Sequence, residues 1–449
     1  MKPRRRARQP RGRPRPGELP ALHRRHPRAP DLDHRRPRGQ GRAAQHADTI
    51  FLGPGEDTWP RFLDDFRRSF PDALKAEFLS RESERAAVVA ALAAFADRYA
   101  EWIDRFLRGR LEEFHGDLRE AAEHNLRRCG STLDRIRAGV DKLRSDDAVW
   151  SAFALANAAM DRQSRYHAKE HPRPLQWRPF QLAFMLLVVP GLADPGLDDR
   201  ECMDLLWFPT GGGKTEAYLA LTAFQIFHRR LTDGHRREHG GVDVLMRYTL
   251  RLLTVQQFQR AASLISACEA IRESDKRLGD ARISLGLYVG GEATPNLMED
   301  AREALDQEHA DQKPKSTPRQ LLRCPVCGSE LRGTAYRADP LQPRIDITCS
   351  QKDCETGGRP LPVLTVDATI YDSPPSLLIG TIDKFAQLPW QGATSALFGR
   401  TYRRCERHGP GRPDNRDTEA GQHRVVLRQP CRLRDLPVAL RRAGPLLDV

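Results

Sequence analysis

The eight residues from Phe208 to Thr215, FPTGGGKT, restrict the surrounding fold more than any other stretch of this sequence. Three consecutive glycines before Lys-Thr let backbone amides turn inward around an anion with no Cβ in the way. Such a turn works only where a strand delivers the chain and a helix carries it off. The flanks offer both: the apolar MDLLWF precedes the loop and the helical EAYLALTAFQIFHRRL follows it. In that setting Pro209 and Thr210 lead into the turn, and Gly211, Gly212 and Gly213 wrap the β-phosphate of a nucleotide. Lys214 reaches the β- and γ-phosphates, and the Thr215 hydroxyl ligates magnesium. Lys214 and Thr215 are therefore the candidate catalytic residues. Phe208 stands where the strict motif has glycine, and the competing reading is a plain glycine-rich turn.

The sequence around the loop repeats the same alternation. VDVLMRYT precedes the helical LLTVQQFQRAASLISACEAI, and ISLGLYVGG and SLLIGTID add two more strand-like runs. Apolar runs alternating with helices predict an α/β fold, a parallel sheet covered by helices on both faces, over residues 171–409. Before it, residues 48–170 carry helical spacing: Phe62, Phe66 and Phe70, then Val88, Leu92, Phe95, Tyr99, Ile103 and Leu107. That segment reads as an all-helical domain whose stripe is core, with no internal repeat.

Composition bounds the ends. The net charge of +13 is concentrated there: residues 1–47 hold fifteen Lys and Arg against three acids, residues 400–449 hold twelve against six, and 48–399 is left at −5. The 1–47 segment repeats Arg, Pro and His with no apolar period and reads as a disordered basic tail. It is either an arm along a phosphate backbone, a solvated tail, or a mis-assigned start, and no site is assigned to it. No run approaches the 18 apolar residues of a membrane span, the richest being LAFMLLVV, and no secretory signal is evident. A reducing, cytoplasmic location without membrane contact is expected.

Four of nine cysteines fall between Cys324 and Cys354, interrupting the alternation at about residues 318–362. Cys324 and Cys327 form a Cys-Pro-x-Cys-Gly knuckle, and Cys349 and Cys354 follow after a hairpin-length gap. Four thiolates so spaced suit a structural zinc ribbon, with no coordination position left open for catalysis. An iron–sulfur cluster prefers other spacings. Cys405 and His408 would make only half of another site, a weak signal on two residues, and Cys129, Cys202 and Cys268 read as buried small residues.

Upstream of the loop, QWRPFQLAFML offers Phe180 to lie against a base and Gln181 to hydrogen-bond an adenine edge. Taken together, WRPFQ, PTGGGKT, VLMRYTLRLLTVQQFQRA and SLLIGTIDKFAQL resemble the first motor lobe of superfamily-two helicases. The longer strings MRYTLRLLTVQQFQRA, GLYVGGEATPN and TIDKFAQLPW resemble the helicase component of DISARM anti-phage defence systems, over roughly residues 175–405. The resemblance implies a RecA-like lobe with the zinc ribbon inserted, an ATP-dependent DNA helicase or translocase using magnesium, and other defence-system subunits as partners. By the same resemblance Arg247, Thr249 and Thr381 match positions that contact a nucleic-acid strand.

A hydrolysing motor also needs an acidic pair on a later strand, and the 449 residues contain no Asp-Glu dipeptide. Residues 410–449 read as a truncated or frame-shifted tail, and neither the acidic box nor the second-lobe arginines are recognised. The chain alone is therefore expected to bind ATP without turning it over. The rival readings are a non-hydrolysing ATP- and DNA-binding module, or another P-loop enzyme such as a small-molecule kinase.

Overall fold

β1 (Val244–Tyr248) and β2 (Leu285–Tyr288) form where the apolar runs fall, β3 (Tyr336–Ala338), β4 (Ile345–Ile347) and β5 (Val363–Leu364) form within and just after the cysteine segment, and β6 (Leu377–Thr381) forms on the SLLIGTID run. The computed structural model describes residues 63–166, 174–206, 212–248, 251–340, 342–390, 392–398, 403–405, 409–411 and 425–427, so the 1–47 segment lies outside it. Four strands make one sheet in the order β1-β6-β2-β5, every neighbouring pair parallel. Strands β2 and β6 are buried along their whole length, as expected of parallel strands covered on both faces. Tyr248 pairs with Thr381 and Tyr288 with Gly380, which brings the carboxyl ends of β1, β6 and β2 to one rim. That rim is where loops of a parallel sheet meet their ligands.

The helical segment is observed as three long helices, α1 (Arg85–Trp102), α2 (Asp117–Ser145) and α3 (Asp147–Arg165). The predicted stripe holds through Val88, Leu92, Phe95 and Ile103, all buried, and Phe66 meets Phe95 with ring centroids 5.7 Å apart. Asp146 caps α3 by accepting from the backbone N–H of Ala148 and Val149, each at 3.1 Å. These helices do not stand apart from the sheet. α2 packs on α4 (Pro179–Ala193), and α3 packs on α5 (Lys214–Thr232) and α6 (Arg251–Ser274). The described residues, from Leu63 onward, belong to one compact unit.

The expected strand MDLLWF is corrected in its described part. Residues 202–206 pair with no strand, and Met203 and Leu205 are 80% and 78% exposed, while Trp207 and Phe208 lie outside the described residues. An apolar run becomes a strand only where a neighbour accepts its ladder. Here the segment is held through its acids instead: Arg135 on α2 donates to both carboxylate oxygens of Asp204, at 2.6 and 2.9 Å, and to Asp199 at 2.9 Å.

Strands β3 and β4 form an antiparallel hairpin within the cysteine segment, and β5 returns the chain to the main sheet. Further on, Arg403–Cys405 pairs antiparallel with Gly409–Gly411 and Val425–Leu427. The remaining residues from 412 onward lie outside the described residues. Among the described residues no helix is long and apolar enough to cross a membrane.

Candidate functional site

The phosphate loop is described from Gly212 onward, whereas Pro209, Thr210 and Gly211 lie outside the described residues. Gly213 caps α5 at φ +89, a left-handed conformation that favours glycine. A Cβ there would also lie 2.7 Å from Gln181 Nε2. Two side chains of the WRPFQ segment grip the loop by its carbonyls. Arg178 Nη1 donates to Gly212 O at 3.0 Å, and Gln181 Nε2 donates to Gly213 O at 2.7 Å. Gln181 Oε1 in turn accepts from the Arg178 backbone N–H at 2.8 Å, so the amide is fixed at both ends. Across a trans peptide the carbonyl and the following N–H point in opposite directions. No cis peptide occurs among the described residues, so these bonds turn the N–H groups of Gly213 and Lys214 away from Gln181 and Arg178. They add to the partial positive charge of the α5 terminus.

Trp177 anchors this gripping segment to the helical layer. Its indole donates to Asn157 Oδ1 at 2.8 Å, and its backbone N–H donates to Leu74 O at 2.7 Å. Phe180 is half-buried in the first turn of α4, and Lys214 and Thr215 are half-buried at the start of α5. Glu216, one residue further, pairs with Arg260 of α6. Sequence reasoning placed Gln181 at the adenine edge and passed over Arg178, whose signal was only its place beside the aromatic.

The four ribbon cysteines come together. Cys324 and Cys354 sulfurs lie 3.8 Å apart, Cys327 and Cys349 sulfurs 3.6 Å, and all four within 4.8 Å of one another. A tetrahedron of Zn–S bonds of about 2.3 Å has edges of about 3.8 Å, whereas a disulfide needs about 2.05 Å. The set therefore fits one tetrahedral metal. Burial pushes the Cys324 thiol up, and the Cys349 thiol to about 11; such sulfurs become thiolates when a cation offsets their desolvation. The first knuckle is seated on α6, where Ser263 Oγ donates to Pro325 O at 2.8 Å and Gln259 Nε2 to Arg323 O at 3.2 Å. The second knuckle is joined to α3 through Arg162 Nε and Glu355 Oε1, 2.9 Å apart.

Of the other cysteines among the described residues, only Cys268 is buried. Cys129 is half-buried and Cys202 is exposed, in the segment that failed to form a strand, which corrects the expectation for both. The side chains of Cys405 and His408 lie outside the described residues. At the rim, Arg247 is exposed on β1 opposite Gly380, Thr381 is buried at the end of β6, and Thr249 lies outside the described residues.

These features define a class: an α/β protein in which a parallel sheet, a glycine-capped helix start and a four-cysteine cluster with the geometry of a metal site share one set of packed helices. No protein-family model matches the chain. Over 340 residues, 70% of its length, it is 38% identical to the DISARM protein DrmA of Bacillus paralicheniformis. The chain spans 30% of that relative's length. The resemblance to DISARM components carried by the longer strings is borne out by this likeness.

Proposed function

We propose that the chain is the nucleotide-binding, RecA-like first lobe of an ATP-dependent DNA helicase or translocase acting with other subunits of a DISARM defence system in the cytoplasm. The observation that carries the reading is the gripped loop: Arg178 and Gln181 hold the Gly212 and Gly213 carbonyls, which turns the Gly213 and Lys214 amides to the opposite side, where an anion would sit at the start of α5. Lys214 then binds the β- and γ-phosphates. Thr215 would hold a magnesium ion, which offsets charge on the phosphate oxygens. The half-buried Phe180 is positioned to lie against the base. Cys324, Cys327, Cys349 and Cys354 would hold zinc, which supplies a structural cross-link and no open coordination position. Arg247 and Thr381, at the sheet's carboxyl rim, would contact the DNA strand together with Thr249, which lies outside the described residues.

Lys214→Ala is the test. Losing a charge-assisted hydrogen bond to phosphate should weaken binding of a fluorescent ATP analogue by about 1.5–3 kcal/mol. Equal affinity in the variant and the parent overturns the phosphate-loop assignment. A second reading, a module that binds ATP and DNA without turnover, is favoured by the missing Asp-Glu pair and describes this stretch when taken alone.

A further inference from the structure

The strings GLYVGGEATPN and TIDKFAQLPW belong to neither the phosphate loop nor the metal cluster, yet the fold brings them onto one buried charge. Lys384 Nζ lies 2.6 Å from Asp367 Oδ2, with both side chains 6% exposed. The same ammonium donates to Asn296 Oδ1 at 3.3 Å and stands 5.0 Å from the centre of the Tyr288 ring. The Tyr288 hydroxyl is 2.7 Å from that of Tyr371. Two backbone bonds follow the same path: Asp367 N–H to Pro295 O at 3.3 Å, and Ala368 N–H to Asn296 O at 3.0 Å. Lys384 thus touches the end of β2 at Tyr288, the loop after β2 at Asn296, and the short helix Asp367–Asp372 that precedes β6.

Stability alone is a weak reason for such a group. A buried ion pair often adds little over well-packed apolar residues, because desolvation offsets the attraction. An ammonium does something that a methionine cannot: its three donor directions meet a carboxylate, an amide oxygen and a ring face held by different segments. Gly380 lets β6 lie close against β2 at this point, for a Cβ on it would stand 2.3 Å from Tyr288 O. Gly380 immediately precedes Thr381, so the site sits under the rim.

We propose that Lys384, with Asp367 and Asn296, is a positioning residue that locks the loop after β2 and the turn after β6 into one body, fixing residues 289–296 and Thr381 against the DNA strand. The DNA half of this inference rests on the function proposed above; the lock itself does not.

Two variants of the full chain test it. Lys384→Met removes the ammonium and keeps the stem, and Lys384→Met/Asp367→Leu also removes the charge left behind, in case the single variant fails to fold. Hydrogen exchange without any ligand should quicken by about tenfold or more in 289–296 and 382–387 together, while α5 exchanges as in the parent. Faster exchange in 382–387 alone, or equally throughout α3 and α5, overturns the lock. Anisotropy of a labelled single-stranded oligonucleotide should then report binding at least about tenfold weaker in the double variant, with fluorescent ATP analogue affinity within about twofold of the parent. Unchanged DNA affinity in a loosened variant overturns the positioning role. If the parent binds no oligonucleotide, the DNA reading falls, while the exchange result still decides the lock.

Discussion

Gln181 gives the sharpest test of how the nucleotide site is built. Its side chain, 4% exposed, makes two short bonds: one to Gly213 O at 2.7 Å, and one from the Arg178 backbone N–H at 2.8 Å. Gln181→Leu keeps most of the volume and removes both. A buried partner left unpaired costs about 1–3 kcal/mol, so the two together cost about 2–6 kcal/mol. The loop end of the site lies near the half-buried start of α5, where water can replace part of the loss, which places the effect at about 2–3 kcal/mol. If the loop is the part that gives way, nucleotide affinity should fall by about 30–150-fold. Fluorescent analogues of ATP and GTP, and competition by inorganic triphosphate, separate the two roles open to this residue. Acting through the loop, the substitution weakens all three alike; reading the adenine edge, it weakens ATP alone. A deficit confined to ATP, or no deficit, refutes the carbonyl-gripping argument, and a melting curve for each protein shows whether the fold survives.

Three further outcomes are expected. Protein purified without added metal should carry one zinc per chain by elemental analysis, and Cys349→Ser should lose it; iron, or no metal at all, overturns the ribbon. Burial raises the Asp367 carboxyl to about 6 against the opposing pull of Lys384. The folded state therefore holds this proton more tightly than the unfolded chain, and stability of the parent relative to Asp367→Asn should fall as pH rises from about 4 to about 6, then level off. Denaturant titrations across that range check the sign. Steady-state phosphate release by the 449 residues alone should not respond to single-stranded DNA, because neither the acidic pair nor an arginine finger, the latter worth about 10³–10⁵ in rate, is recognised in it. DNA-stimulated release abolished by Lys214→Ala would show that this stretch carries its own hydrolytic machinery.

What the sequence disclosed followed the range of the interaction involved. Strands β1, β2 and β6 were visible as apolar runs, since burial on both faces leaves a continuous signature. The cysteine cluster was visible because two knuckles are local motifs. MDLLWF misled because strand formation depends on a neighbour, and the residue that fixes the segment, Arg135, lies 64 and 69 positions from the acids it holds. Arg178 was hidden for a similar reason, since its partner Gly212 O is 34 positions away and offers only a carbonyl. β5, two residues long, has no periodicity to read. Lys384 stands within a recognisable string, TIDKFAQLPW, but nothing local says that its charge is buried.

Helix α3 carries a consequence of its own. Its 19 residues, about 28 Å of helix, pack along α5 behind the phosphate loop and reach the second cysteine knuckle through Arg162 and Glu355. One unbroken helix thus underlies both places, so melting of α3 removes support from each. Denaturation followed by a probe at the start of α5 and by a probe on the ribbon should trace one superimposable transition, so the two features are gained and lost as a single cooperative event.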